Sequence, residues 1–584
     1  MGKTMIQKIF ENHSNQEAKV GDIIDIEIDV RVARDFGGAN VVKNLEENNL
    51  SLDDPKKTFF TFDCNPGGCD QKYAANQQIC RIFARKNGVK VFDINSGIGT
   101  HLAIDEGLIQ PGGTIISTDS HANILGAIGA FGQGMGDRDI THAWAHGRVW
   151  FKVPPTVKIV LKGTPSSSPK DVVLKIVQQL GANGLLGYAA EIYGEYIDSL
   201  SLEGRITIAS MATEMGGIII LFSSANGVKA DEDASYEKTI EIDIAGLEPM
   251  ISRPGHPEDV VSVKDVVGTK VDSGFIGSCT NGRMDDMRSA AKILNGRKIA
   301  PGRVLKIVPA TDKIWKQSLD EGLIKIFKES GALVGSAGCA GCAAGQIGQT
   351  GAGEVAVSSG NRNFVGKQGK GEIYLASPAT VAASLVAGHI TTADNIPETP
   401  VPVNLPEISH KVTPVKKETK LSRRTSVEGR AWVISKDNID TDMIYHNRYL
   451  SITNIDEMGQ YTFDNLEGYE KFAKHAKEGD IVVVGKNFGC GSSRQQAVDC
   501  FKALRISAII AESFGSIYER NAINSAMPIL VSEDITKKIR DKDEISVNFE
   551  TGKIYDKIQN KTYHAKPFSK VQLEIYKRGG LLKG

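Results

Sequence analysis

Residues 273–283 read Ser273-Gly274-Phe275-Ile276-Gly277-Ser278-Cys279-Thr280-Asn281-Gly282-Arg283. Ser273–Ile276 is a short apolar run with the pattern of a strand, and a glycine closes it. From Met284 onward the pattern changes: Met284, Met287, Ala291 and Leu294 fall on one face of a helix. A strand, a glycine-bearing turn and a helix form the repeating unit of α/β layers. Cys279 sits in that turn, beside a helix N-terminus, which favours its thiolate.

The same alternation runs through residues 1–404. Val157–Leu161 reads as a strand and is followed by a loop of serine and proline. Ser168 is a good N-cap, Pro169 a good first helical residue, and Asp171 occupies the capping-box position of a helix reaching Leu180. From Ile396, prolines 397, 400, 402, 406 and 414 break any helix and charged residues fill the gaps, so residues 405–428 read as a linker. Structure resumes at Ala431–Ile434. Ile481–Val484 has a buried-strand pattern ending in a glycine-rich turn, Arg494–Leu504 places Ala497, Phe501 and Leu504 on one helical face, and Ser507–Ala511 is the next strand. Residues 429–584 are therefore expected to form a second, smaller α/β domain.

A chain of 584 residues is too long for one core. Its 41% hydrophobic and 24% charged residues are ordinary for a globular protein, and 61 glycines exceed the usual share of about 7%, which suits many tight turns. The net charge of −1 gives no support for a nucleic-acid partner, and the basic residues at Lys416–Lys420 and Arg423–Arg424 read as a solvated part of the linker. No apolar stretch approaches the roughly 18 residues of a spanning helix, and Met1–Ser14 has no long apolar region of a secretory signal. The cytoplasm is the expected location, with no membrane association. Eight cysteines in such a chain point to metal binding or catalysis rather than to a disulfide framework.

Cys339 and Cys342, in Gly338-Cys339-Ala340-Gly341-Cys342, have a spacing that lets two thiolates reach one metal centre. With Cys279 they make three. Structural zinc and electron-transfer clusters normally take four ligands; a cluster held by three leaves one iron open to act as a Lewis acid on a hydroxyl group. Taken alone, the C-x-x-C pair reads equally as a redox or zinc site. The flanking residues go further. Ser278–Arg283, the stretch Asn361-Arg362-Asn363-Phe364-Val365-Gly366-Lys367, and Leu375-Ala376-Ser377-Pro378-Ala379 resemble the signatures of the aconitase and 3-isopropylmalate dehydratase family. The resemblance covers nearly the whole chain, whose length matches a dehydratase large subunit joined by a linker to its small subunit.

The resemblance implies an α/β fold, with three-layer α/β/α catalytic domains and a C-terminal swivelling α/β domain. It implies a [4Fe–4S] cluster on Cys279, Cys339 and Cys342. Asp119-Ser120-His121 looks like the family's D-S-H motif, so two carboxylate–imidazole pairs are expected, Asp119 with His101 and Glu214 with His121; Asp63 joins this catalytic set. Arg362, with Asn361 and Lys367, is expected at a substrate carboxylate. In Asn487-Phe488-Gly489-Cys490-Gly491-Ser492-Ser493-Arg494, Ser492 matches the base that removes the carbon-bound proton, with Ser493 and Arg494 binding substrate. The implied reaction is isomerisation of a hydroxy di- or tricarboxylic acid by loss and return of water, in a monomer because both subunit-like parts share one chain. Four positions depart from the family pattern. Cys64 stands where a histidine usually follows the aspartate, Ser210 where aconitases carry asparagine, Lys367 where an arginine is expected, and Gln495 where a glutamate is usual. A substrate arginine expected in the C-terminal part has only Arg448 and Gln460 nearby. A second reading, a non-catalytic iron- or redox-sensing relative, draws on the missing histidine and is opposed by the intact cysteine, serine and arginine motifs.

Overall fold

The computed structural model describes residues 2–67, 70–342, 347–401, 423–450, 452–491 and 494–582. The chain divides into two compact units, Met1–Leu405 and Pro406–Gly584. Much of the expected linker lies outside the described residues. Its C-terminal end differs from expectation, because a strand already begins at Ser426 and runs to Ile434, paired along its first half with Glu544–Asn548.

The first unit is built on three sheets with parallel cores. A five-stranded sheet has the order Lys90–Phe92, Thr58–Thr61, Val30–Arg34, Thr114–Ser117, Phe131–Gly134, all parallel. A four-stranded parallel sheet runs Ile219–Phe222, Ala189–Tyr193, Thr156–Lys162, Lys238–Asp243. In the seven-stranded sheet, five strands are parallel: Glu372–Ala376, Val355–Ser358, Ser273–Ile276, Val304–Ile307 and Leu333–Val334. Met250–Ser252 and Val260–Ser262 add an antiparallel edge. Thr58–Thr61, Thr114–Ser117, Ile219–Phe222 and Ser273–Ile276 are buried at every position, as strands covered on both faces must be. The helix Met284–Leu294 buries Met284, Met287, Ala290, Ala291 and Leu294 on one face and packs on the helix Pro378–Ala387, which lies on the strand Ser273–Ile276.

Strand order decides where a site can form. In the five-stranded sheet the chain moves outward one way through Thr58–Thr61 and Lys90–Phe92. It then returns to the other side of Val30–Arg34 with Thr114–Ser117. The seven-stranded sheet reverses in the same manner between Ser273–Ile276 and Val355–Ser358. At such reversals the loops leaving the carboxyl ends of neighbouring strands diverge, opening a crevice where ligands bind. Arg34 ends one strand of the first pair and Asp119 follows the other; Cys279 and Asn361 follow the second pair.

The second unit holds a mixed seven-stranded sheet. Ile529–Val531, Ala508–Ala511, Ile481–Val484 and Ser426–Ile434 run parallel, then Glu544–Asn548, Lys553–Asp556 and Lys561–His564 follow antiparallel. The expected helix after the glycine-rich turn is shorter than its sequence pattern, spanning Gln496–Ala503. Among the described residues no helix is long and apolar enough to cross a membrane.

Candidate active site

The turn after Ser273–Ile276 is tight. Gly277 has φ 152°, and a Cβ there would lie 2.5 Å from the Val308 carbonyl oxygen, so only glycine fits. Ser278 follows at φ 73°, a conformation costing roughly 1–3 kcal/mol that persists only where its surroundings impose it. Cys279 then turns inward. It packs with Cys339, Ile98 and Ala310 in one small buried cluster. Cys339 is fixed by its own backbone N–H, which donates to the Asp63 carbonyl at 3.0 Å. Cys342 ends the short 3₁₀ turn Ala340–Cys342; its side chain lies outside the described residues.

Arg34 occupies the centre of the neighbouring wall and is 8% exposed. Its Nε donates to Asp63 Oδ1 at 2.7 Å, its Nη2 to Cys339 Sγ at 2.6 Å, and its Nη1 lies 3.3 Å from Asp119 Oδ1. Two buried carboxylates thus share one guanidinium, and they do not titrate alike. Burial pushes Asp63 up to about 6 despite Arg34, with Asp35 and Asp119 adding to the rise. At Asp119 the burial penalty is outweighed by Arg34, His121 and the His121 N–H, which hold it below the usual carboxylate range. Burial also drives the Cys339 thiol well above its ordinary value, with Arg34 opposing.

His121 Nε2 lies 3.2 Å from Glu214 Oε1 and beside the Asn361 amide. Glu214 in turn accepts from Arg362 Nε at 2.9 Å. The Asn361 amide also reaches Cys279 Sγ at 3.5 Å. A continuous chain of contacts therefore links Arg362, Glu214, His121, Asn361 and Cys279. Asp119 and His101, expected as a pair, act on each other through their charges but share no direct hydrogen bond. His101 Nε2 meets the Cys279 carbonyl at 3.0 Å, while Asp119 turns to Arg34 and to the His121 backbone N–H. His101 Nδ1 and Asp119 Oδ2 are both buried without a hydrogen-bond partner. Burial and then Arg283 hold His101 down to about 4, so its ring is neutral.

Sequence reasoning missed Arg34 and Lys170. Lys170 is the second residue of the helix Pro169–Leu180 and is 1% exposed. Burial lowers it to about 8, against the opposing pull of Asp286, Cys279, Glu214 and Asp171. An unfolded chain keeps this proton up to its ordinary 10.5. Between about pH 8 and 10.5 the unfolded state therefore binds more protons, and stability rises with pH; below pH 8 the buried charge costs about 3 kcal/mol. Comparing the first unfolding transition at pH 7.5 and 9.5 checks this: wild type should gain on Lys170→Met as pH rises, and a constant difference between the two would refute it.

The sequence model of the Aconitase family (aconitate hydratase) matches residues 7–227 and 264–388, and that of the Aconitase C-terminal domain matches residues 410–534. The chain belongs to the aconitase family. Its relatives include 3-isopropylmalate dehydratase large subunit 1 of Archaeoglobus fulgidus, 37% identical over 415 residues, spanning 67% of this chain and 99% of that protein. The homoaconitase large subunit of Thermus thermophilus is 36% identical over 413 residues, spanning 68% of this chain and 99% of that one. Among solved structures, 3-isopropylmalate dehydratase of Methanocaldococcus jannaschii is 37% identical, covering 27% of this chain and 92% of its own, with a TM-score of 0.26. This aconitase-family chain is accordingly a hydro-lyase.

The contacts of Cys64, Ser210, Lys367 and Gln495, which depart from the pattern the resemblance implies, are visible in this aconitase-family chain. Cys64 is buried, its Sγ 3.7 Å from Asp63 Oδ1. Burial keeps this thiol protonated, so it cannot shuttle protons near neutrality as an imidazole would. Asp35, Asp63 and Cys64 bring ligand atoms within 4.8 Å of one another. Asp35, however, already accepts the Cys64 and Asn65 N–H groups and the Gln77 amide, and Arg34 supplies the positive charge. Ser210 donates to the Thr207 carbonyl within its own helix. Lys367 is half-buried, with no side-chain partner among the described residues. In the second unit Arg494 is tied to Asp442 and the Tyr445 carbonyl, Gln495 to Asp499 and Ser525, and Arg448 to Asp464. Ser492 and Ser493 lie outside the described residues.

Proposed function

We propose that this chain isomerises a hydroxy di- or tricarboxylic acid by dehydration and rehydration at a [4Fe–4S] cluster held by Cys279, Cys339 and Cys342. The donor set fits such a group: two buried thiols share one small buried cluster, and burial disfavours a thiolate at Cys339 unless a cation accompanies it. Two orphaned polar atoms, on His101 and Asp119, call for a further polar partner. When bound, the cluster supplies Lewis acidity for loss of a hydroxyl group.

The remaining chemistry falls to side chains. Glu214 orients the His121 imidazole through Nε2, and His121 is assigned to move a proton. His101, neutral and donating through Nε2 to the Cys279 carbonyl, offers Nδ1 as an acceptor. Asp119 and Asp63 set the field around both rings, and Arg34 offsets part of the repulsion between the two carboxylates. Arg362 uses Nε on Glu214, has Nη1 3.5 Å from the Ser120 hydroxyl, and offers its outer edge to a substrate carboxylate, aided by Asn361. Ser492 is assigned the base, with Ser493, Arg494 and Lys367 at the substrate, on the sequence motif and the family membership. The first two thirds of the chain correspond to a dehydratase large subunit and the C-terminal part to its small subunit, joined in one polypeptide. What carries the reading is the packing of Cys279 against Cys339 with the Asn361 amide reaching from Cys279 Sγ to the His121 ring.

The test is turnover. The full chain is reconstituted anaerobically with iron and sulphide, and alkene absorbance is followed with citrate, isocitrate, 3-isopropylmalate, homocitrate and dimethylmalate. Turnover of one acid identifies the substrate, with 3-isopropylmalate or homocitrate favoured by the relatives' names. Silence with all five despite a full cluster would overturn the reading in favour of an iron or redox sensor.

A further inference from the structure

Lys170 is a fully buried cation that no part of the proposed reaction uses. Its Nζ donates to two consecutive backbone carbonyls, Gly360 at 2.7 Å and Ser359 at 3.2 Å, and lies 4.0 Å from Met211 Sδ. Both carbonyls belong to the turn that leaves the strand Val355–Ser358. The next two residues are Asn361, which meets His121 and Cys279, and Arg362, which meets Glu214. Met211 immediately precedes the 3₁₀ turn Ala212–Met215 that carries Glu214, and its carbonyl accepts the Glu214 N–H at 3.0 Å. One ammonium thus touches both segments from which Arg362 and Glu214 project.

The alternatives explain less. A lysine in the first turn of a helix normally points to water, and burying its charge is costly unless specific partners repay the cost. Helix capping does not require it, because Ser168 and Asp171 already form a capping box. The opposite side of the turn is held by Ser359, whose N–H donates to the Phe275 carbonyl and whose hydroxyl accepts the Gly277 N–H at 3.0 Å. The turn is therefore clamped between the cysteine-bearing strand and Lys170. Without the ammonium, two buried carbonyls lose their donor and the turn can rotate.

We propose that Lys170 is a positioning residue that fixes the Ser359–Arg362 turn, and so aims the Asn361 amide and the Arg362 guanidinium at the substrate carboxylate. The inference deepens the proposed hydro-lyase function and rests on it for the identity of the ligand. Its geometry can be read without turnover. Lys170→Met removes every donor; Lys170→Gln keeps an N–H₂ group able to reach one carbonyl.

In the reconstituted full chain, Lys170→Met should bind iron as wild type does and raise KM for the acid that wild type turns over by tenfold or more. Its kcat should fall less than threefold, and Lys170→Gln should recover most of the loss. Amide hydrogen exchange in the same proteins gives the independent readout. Residues 359–363 should exchange at least tenfold faster in Lys170→Met, with the strands of the second unit unchanged. Unaltered exchange there, or a fall in kcat at constant KM, would overturn the positioning role. If wild type turns over none of the acids but the exchange difference appears, the clamp stands and the hydro-lyase reading fails. If Lys170→Met does not fold, Lys170→Gln decides by the same two measurements.

Discussion

Changing Cys339 to serine is expected to strip the reconstituted chain of its iron while leaving the fold intact. A serine hydroxyl stays protonated where a cysteine thiolate would bind metal, so the cluster loses one of three ligands. The smaller side chain still offers an oxygen to Arg34 Nη2, which now donates to Cys339 Sγ; the cost in stability should be about 1 kcal/mol. Activity should fall by more than about 100-fold, since even outer-shell partners of a metal site are worth 10–100-fold. Iron and sulphide analysis alongside a melting curve checks both halves. Cys80 and Cys500 are the controls. They are buried in other apolar clusters, one in each unit; serine there should lower stability and leave iron content unchanged. Full iron in Cys339→Ser would remove this residue from the ligand set.

The second large effect is expected at Arg34. Arg34→Met deletes the countercharge of two buried carboxylates and the donor to Cys339 together. Removing one member of a buried ion pair typically costs 3–5 kcal/mol, and part of that would be relieved here by protonation of Asp63, already the weaker acid of the two. The first unfolding transition should drop by about 3 kcal/mol. Cluster retention should also weaken by about 10–100-fold, as for outer-shell partners generally. Arg34→Lys should recover little, because an ammonium cannot serve three partners in the geometry of a planar fork. A variant within 1 kcal/mol of wild type, with iron retained, would show that Asp63 and Asp119 do not depend on this residue.

Much of the frame is local, and so it was legible in the sequence. The strand Ser273–Ile276, the face of the helix Met284–Leu294 and the Ser168–Pro169–Asp171 helix start all follow from periodicity and capping within a few residues, and the structure places each as expected. Arg34 was not legible. It ends the strand Val30–Arg34, all of it buried, and its partners Asp63 and Cys339 lie 29 and 305 residues away; nothing in the local pattern distinguishes it from a solvent-facing end residue. Lys170 hides for the same reason, since a lysine in a first helical turn ordinarily faces water. The hydrogen bond of His101 was not legible, because a motif names the residues but does not say which nitrogen meets which neighbour. That choice is made by the turn after Gly277, which delivers the Cys279 carbonyl to His101 Nε2 and leaves Asp119 to Arg34.

A cluster held by only three cysteines of this chain would leave one iron for the substrate. Mössbauer spectroscopy of the full chain reconstituted with ⁵⁷Fe, recorded before and after addition of the acid it turns over, tests this most directly. One iron in four is expected to change its isomer shift and quadrupole splitting on addition, and the other three are not. Four irons that all ignore the acid, or a protein that assembles no cluster, would contradict it.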